Sequence, residues 1–178
     1  MSHATDSITL PTDSGSKTTR RQGAEAGFVA SSQLQENLQA ILVDFIALAN
    51  VSKQAHWNIV GPNFRDLHLN LDEVVEIARD GTDDFAERMR ALHAVPDGRM
   101  AVAVAQNSLP EFPGGEISTH DAIGLMVQAI EATTGRMREL HDAIDSEDAA
   151  TADMLHEYMI KLEQQAWFIS AELRKPQN

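Results

Sequence analysis

The spacing of large apolar residues limits the fold of this chain more than any other feature. In four stretches these residues recur every three or four positions, which is the period of one face of an α-helix. The stretches contain Leu34, Leu38, Ile41, Phe45 and Leu48; then Leu67, Leu71, Val74, Ala78, Phe85, Met89 and Leu92; then Ile123, Met126, Ile130, Met137, Leu140 and Ile144; and finally Leu155, Tyr158, Leu162, Ile169 and Leu173. No strand-like alternation competes with this pattern, which predicts an all-α protein.

The connections between the four stretches predict how the helices are arranged. A short turn at Gly61-Pro62-Asn63 separates the first two, and about two dozen residues with one weakly helical run, Met100–Gln106, separate the second and third. Ser118 and Asp121 resemble a capping box that opens the third helix. The acidic segment 145–153, DSEDAATAD, links the third helix to the fourth. This order of short, long and short links predicts a ferritin-like four-helix bundle with a short extra helix in its crossover.

The chain has the length of one domain with two tails. Its 178 residues, 43% of them apolar, are enough for one sizeable core. Residues 1–32 are rich in Ser, Thr and Gly and are predicted to form a flexible tail. The bundle is predicted to span residues 33–174, followed by a short C-terminal tail, 175–178.

Charge and composition narrow the classes of partner. The formal net charge is −13, from 27 acidic and 14 basic residues, so the folded body is expected to repel nucleic acid and anionic membranes and to attract cations. The chain has no cysteine, and any metal must therefore be held by His, Asp or Glu. No apolar run approaches the roughly 20 residues that span a bilayer, and the N-terminus lacks a signal-peptide core. We therefore expect a soluble cytoplasmic protein.

Polar residues of the second helix form a separate face. With Leu67 at zero on a helical wheel, the apolar residues fall within roughly −20° to +40°, whereas His68, Asp72, Asp83 and Glu87 fall between roughly 100° and 200°. The first pair of these residues lies about 22 Å along the helix from the second pair. One chain cannot bring both pairs to one ion, but a second copy laid antiparallel across a two-fold axis would do so twice.

His56, at the end of the first helix, adds a nitrogen ligand to this arrangement. The resulting mixture of imidazole and carboxylate suits iron or another first-row metal such as zinc. Two alternatives stay open from the residues alone. In the first alternative, the acidic residues are simply solvated and the histidines are structural or exposed. In the second, the acidic face binds a partner protein and no metal.

Several short motifs resemble those of one known family. They are AHWN at 55–58, GPNF at 61–64, LH at 67–68, Asp72, DDFAERM at 83–89 and QAWF at 165–168. With these motifs, the region from Gln33 to Arg174 resembles the Dps family, the miniferritins called DNA-binding proteins from starved cells. The resemblance implies a hollow homododecamer that binds Fe(II), oxidises it with hydrogen peroxide in preference to oxygen, and stores ferric mineral inside, which protects against oxidative stress.

The resemblance also implies the roles of particular residues. The family's catalytic iron ligands fall on His56, His68 and Asp72 of one subunit and on Asp83 and Glu87 of its partner. Each position carries the residue type that the family uses there. We therefore predict a ferroxidase site that is shared between two subunits.

Two tryptophans and an acidic segment receive further predictions. Trp57 corresponds to a family residue near the iron site, where it either quenches a one-electron oxidant or anchors the interface. Trp167 is expected in the core. The acidic segment 142–153 matches the family's iron-entry pore, with Asp148 and Asp153 as candidates, although these acids are also explained as solvated residues of a link and a helix start.

DNA binding is the alternative function. An architectural, nucleoid-associated member of the family would hold DNA through basic tails. In residues 1–32 the charged side chains balance: Lys17, Arg20 and Arg21 against Asp6, Asp13 and Glu25. Twelve weak basic segments acting together would still favour DNA at low salt, so this alternative stays open at this point.

Overall fold

The computed structural model describes residues 27–176, and most of them lie in helices. The elements are α1 (Ser32–Asn58), β1 (Ile59–Val60), α2 (Phe64–Ala91), α3 (Met100–Gln106), β2 (Ile117–Ser118), α4 (Thr119–Glu147) and α5 (Ala149–Ala171). The all-α prediction is confirmed, with four long helices, one crossover and the short helix α3 within it. Within residues 27–176, no helix combines the length and apolar character needed to cross a bilayer.

The polypeptide is anchored to the bundle before α1 begins. Ala30 is buried, and its N–H donates a hydrogen bond to the Leu92 carbonyl at 3.1 Å. Ser31 caps α1 by accepting from the Leu34 N–H, while its own N–H and Oγ donate to Glu147 at 2.7 and 2.6 Å. Most of the predicted tail, residues 1–26, lies outside the described residues, as do residues 177–178.

The core is centred on three aromatic rings from three helices. Phe45 of α1, Phe85 of α2 and Tyr158 of α5 have ring centroids 5.2 to 5.6 Å apart. Gly81 of α2 lies against the Phe45 ring, and a Cβ at this position would fall well inside van der Waals contact with it. Glycine at position 81 therefore allows α1 and α2 to approach closely.

The crossover is held at both of its ends. β1 and β2 form a two-residue parallel pair, Ile59 with Ile117 and Val60 with Ser118, which joins the start of α4 to the turn between α1 and α2. The predicted cap of α4 is also present, because Ser118 Oγ accepts from the Asp121 N–H at 3.1 Å. The sequence pattern did not indicate the short strand pair, since two residues are too few to show a period.

A buried carboxylate fixes the middle of the crossover. Asp44 of α1 is fully buried and accepts hydrogen bonds from the Ser108 N–H and Oγ at 2.7 and 2.6 Å, and from Arg136 Nε of α4 at 3.0 Å. A buried charge is tolerated only when it is paired and hydrogen-bonded, and these three bonds meet that requirement. They connect α1, α4 and the crossover.

Two details of the sequence interpretation are wrong. The link between α4 and α5 is the single residue Asp148, because both helices extend into the acidic segment. Trp167 is 58% exposed and not in the core. The buried residues of α5 include Gln165 and Ile169, and the helical period turns position 167 away from the face that they share.

The packing of Phe45 against Gly81 leads to a stability prediction. We expect Gly81→Ala to destabilise the protein by about 1–3 kcal/mol, because the added methyl group overpacks the contact between α1 and α2. Gly124→Ala in α4 is the matched control, since a Cβ there meets no atom within 4 Å and alanine favours the helix by up to about 1 kcal/mol. Urea unfolding of both variants at one protein concentration measures the difference; equal stability would contradict this account of the close approach.

Candidate metal centre

Three of the predicted ligands meet where α1 ends and α2 begins. His56 lies in the last turn of α1, and His68 and Asp72 lie one helical turn apart on α2. Each residue offers one ligand atom, and these atoms all lie within 4.8 Å of one another. The short turn through residues 59–63 folds α2 back along α1, and this reversal brings the residues together.

The two histidines orient each other through the backbone. His56 Nδ1 lies 3.0 Å from the His68 carbonyl oxygen, and His68 Nδ1 lies 3.0 Å from the His56 carbonyl oxygen. A carbonyl oxygen can only accept, so each Nδ1 carries the proton and each neutral ring keeps its lone pair on Nε2. The rings are stacked, with centroids 3.6 Å apart. This arrangement orients two imidazoles for binding a cation through Nε2.

One of these hydrogen bonds also satisfies a backbone group at the end of α1. The last four carbonyl groups of a helix have no partner within that helix, and His56 is among the last four residues of α1. His68 Nδ1 therefore satisfies a backbone group that would otherwise lack a partner. Gly61, with φ of 125°, and Asn63, with φ of 59°, provide the left-handed backbone that the tight connection needs.

Lys53 is a neighbour of the site that the sequence interpretation missed. Its Nζ donates to Asp72 Oδ1 at 2.5 Å, and His56 Nδ1 lies 3.3 Å from the same oxygen. The hydrogen bond from Lys53 lowers the pKa of the Asp72 carboxyl and outweighs burial, which raises it. The positive charge of Lys53 lowers this pKa further, as does that of either imidazole when it is protonated. Lys53 precedes His56 by three residues, a spacing that places both on one side of α1.

Aromatic side chains flank the centre. The Phe64 ring lies over His68 with a centroid distance of 5.1 Å. Trp57, beside the buried His56, is 69% exposed on the chain surface. Both proposed roles of Trp57, oxidant quencher and interface anchor, require a surface position and stay predictions.

The structure does not bring Asp83 and Glu87 to this cluster. Both are exposed on α2, and Asp83 lies about 16 Å along the helix from Asp72. No hydrogen bond or ion pair engages either side chain among residues 27–176. Their neighbour Asp84 differs, because it accepts a hydrogen bond from the Tyr158 hydroxyl; burial and then this bond raise the Tyr158 pKa.

The two pore candidates have different surroundings. Asp153 is exposed on α5, with 88% of its side chain accessible. Asp148 accepts hydrogen bonds from Arg88 Nη2 at 2.6 Å and from the Thr151 hydroxyl. Burial raises the pKa of Asp148, but the bonds from Thr151 and Arg88 outweigh burial and leave it below its ordinary value. The Asp148 carboxylate thus ties the turn between α4 and α5 to α2.

Comparisons with known proteins identify the family of this chain. The model of the ferritin-like domain matches residues 35–178. A DNA protection during starvation protein of Halobacterium salinarum is 36% identical over 141 residues, which cover 77% of this chain and 76% of the relative. The fine tangled pili major subunit of Haemophilus ducreyi is 34% identical, with 79% and 74% covered. DNA protection during starvation protein 2 of Deinococcus radiodurans is 33% identical over 77% of this chain and 57% of its own length.

Solved structures show the same fold. Dps92 from Deinococcus radiodurans superposes with a TM-score of 0.78 at 31% identity, covering 81% of this chain and 87% of that one. Dps from Microbacterium arborescens, in its high iron form, superposes with a TM-score of 0.77 at 29% identity, covering 84% and 100%. The bundle, the family model and these relatives agree, and the chain belongs to the Dps family of the ferritin superfamily.

Proposed function

We propose that this protein is a ferroxidase and iron-storage miniferritin. The cluster of His56, His68 and Asp72 carries the proposal, because it brings together two oriented imidazoles and one carboxylate, of which His68 and Asp72 are partly exposed. Fe(II) is the substrate. The imidazole nitrogens hold Fe(II) before the reaction, and carboxylates stabilise Fe(III) more than Fe(II), which favours loss of an electron.

A second subunit completes the proposed site. Asp83 and Glu87 are exposed and too far from the cluster on their own chain, so they serve the site of a neighbour related by a two-fold axis. The family relationship supports a hollow dodecamer of such pairs. Iron would then enter through acidic pores, for which the exposed Asp153 is a better candidate than Asp148, whose carboxylate is already engaged.

The proposed reaction uses hydrogen peroxide in preference to oxygen. Each peroxide accepts two electrons, one from each of two Fe(II) ions, and its O–O bond breaks. With two further water molecules the products are two units of ferric oxyhydroxide and four protons. Because two Fe(II) ions supply both electrons to one peroxide, the one-electron reduction that releases hydroxyl radical is avoided. The ferric product is stored as mineral inside the cage.

A subunit-mixing experiment tests the shared site. We expect His68→Ala cages and Asp83→Ala cages each to oxidise Fe(II) with peroxide roughly tenfold or more slowly than wild type in stopped-flow absorbance. When equal amounts of the two variants are unfolded and reassembled together, about a quarter of the sites combine one intact half from each chain. The mixed cages should therefore regain about a quarter of the wild-type activity. Glu76→Gln, another exposed acid of α2, is the control and should retain full activity.

Two results of this experiment would contradict the proposal. Normal oxidation by both single variants would show that these residues are not ligands. Inactive single variants without recovery in the mixed cages would show that each chain supplies its own complete site. Size-exclusion chromatography before each measurement selects the assembled cages.

The Lys53 contact leads to a second prediction. Lys53→Met removes a positive charge bound to Asp72, so we expect the pKa of Asp72 to rise toward its ordinary value of 3.8 and divalent metal to bind several-fold more tightly. NMR titration of the carboxyl group and Co²⁺ absorption, which involves no oxidation, measure the two effects. Lys161→Met, which removes a lysine paired with Glu157 on α5, is the control and should change neither quantity.

DNA association is a second candidate function, favoured by relatives named DNA protection during starvation proteins. For a dodecamer the formal charge is 12 × −13 = −156, so the body opposes binding and the contacts fall to the segment Lys17 to Arg21. This segment lies outside the described residues.

We expect the protein to retain plasmid in gels at low salt but not at about 150 mM salt. Deleting residues 1–26, which leaves the anchored Ala30 and Ser31 in place, should abolish the low-salt retention. Retention at about 150 mM that survives the deletion would contradict this assignment.

A further inference from the structure

A second pair of histidines meets between α4 and α5. His141 of α4 and His156 of α5 have their Nε2 atoms 2.8 Å apart, and their ring centroids are 4.7 Å apart. They line a surface cavity of about 240 Å³ together with Arg138 and Met159. The His141 and His156 side chains are 23% and 52% accessible, so solvent and dissolved ions reach the pair.

The hydrogen bonds of His141 determine which of its nitrogens is free. Its Nδ1 lies 2.9 Å from Asp142 Oδ1, and a carboxylate oxygen can only accept. The proton of neutral His141 is therefore on Nδ1, and its lone pair is on Nε2, which lies 2.8 Å from His156 Nε2. In the metal-free protein, the 2.8 Å contact is satisfied when His156 donates its own Nε2–H to this lone pair.

The distance between the two nitrogens matches that of two ligands on one metal ion. First-row divalent ions bind imidazole nitrogen at about 2.0–2.1 Å. Two nitrogens at right angles around such an ion are about 2.9 Å apart, close to the 2.8 Å observed. A right angle is the geometry of square-planar and octahedral coordination, whereas tetrahedral coordination needs a wider separation.

We propose that His141 and His156 form a second metal site, which binds Cu²⁺ in preference to Zn²⁺ and Fe²⁺. Nitrogen ligands at right angles favour Cu²⁺, which also forms the strongest complexes in the first-row series. Binding replaces the bridging proton. That proton moves to His156 Nδ1, which lies 3.8 Å from Asp153 Oδ1, and the two Nε2 atoms then hold the ion while water completes its coordination.

Charges around the pair attract a cation. Asp142 accepts a hydrogen bond from His141 Nδ1, the arrangement in which an outer carboxylate strengthens an imidazole ligand, and Asp153 Oδ1 lies 3.8 Å from His156 Nδ1. Arg138 is the opposing charge at the cavity, and its guanidinium forms an ion pair with Glu163. The negative net charge of the chain, −13, adds to the attraction.

This pair differs chemically from the cluster at His56. The cluster combines two nitrogens with a carboxylate oxygen, a set that suits iron, whereas the His141 pair offers nitrogen alone. The two sites therefore differ in the ligand atoms that they offer a metal ion.

Copper titration of the metal-free, full-length protein tests the proposal. Electron paramagnetic resonance with Cu²⁺ alone as the probe counts bound copper per chain and detects nitrogen ligands from their splitting. The titrations are made on a His68→Gln background, which removes a ligand of the first cluster. The variants on this background are His141→Gln and His156→Gln. His120→Gln is the matched control, because His120 also lies beside an aspartate, at 3.4 Å, but faces no second imidazole among residues 27–176.

We expect His141→Gln and His156→Gln each to lose one tightly bound copper per chain, or to bind it roughly tenfold or more weakly, together with the two-nitrogen signal. The His120→Gln control should retain both. Unchanged copper binding in the two variants, or an equal loss in the control, would overturn the proposal. Circular dichroism verifies the helix content of each variant. If one variant misfolds, copper binding by the other variant tests the proposal, since each removes one of the two ligands.

Discussion

The Phe45 ring of α1 lies against Gly81 of α2, and this close approach sets the spacing and the register of the two helices. The spacing of these helices also fixes the positions of the candidate ligands, because α1 carries His56 and α2 carries His68 and Asp72. The two histidine–carbonyl hydrogen bonds are 3.0 Å long, and a slip of one residue along the helix, about 1.5 Å, would break them. Core packing therefore positions the ligands.

Charged residues divide into those that hold the helices together and those that stay free. Asp44 with Arg136, and Asp148 with Arg88, connect elements that are distant in sequence. Asp83 and Glu87 of α2 have no such contact within residues 27–176, so their exposed carboxylates stay available to a neighbouring subunit or a metal ion. The proposed chemistry of this protein is therefore completed only after assembly.

Most of the helices were predictable because each shows a long apolar stripe, and the cap at Ser118 was predictable because capping depends on neighbouring residues. The candidate ligands on α2 were recognisable because they lie on a separate face of the helix. Lys53 was not recognised, because its partner Asp72 lies on another helix and no local pattern links them. Trp167 was misplaced because hydrophobicity alone does not say which face of α5 turns inward.

The sequence by itself determined the all-α class, the order of short and long connections, and which His, Asp and Glu residues are candidate ligands, because these depend on local periodicity and composition. The tertiary structure decided which of these side chains meet. It brought His56 to His68, and it placed His141 against His156. Such contacts depend on the register between packed helices, which is set by side-chain volumes at distant positions and leaves no local signal in the sequence.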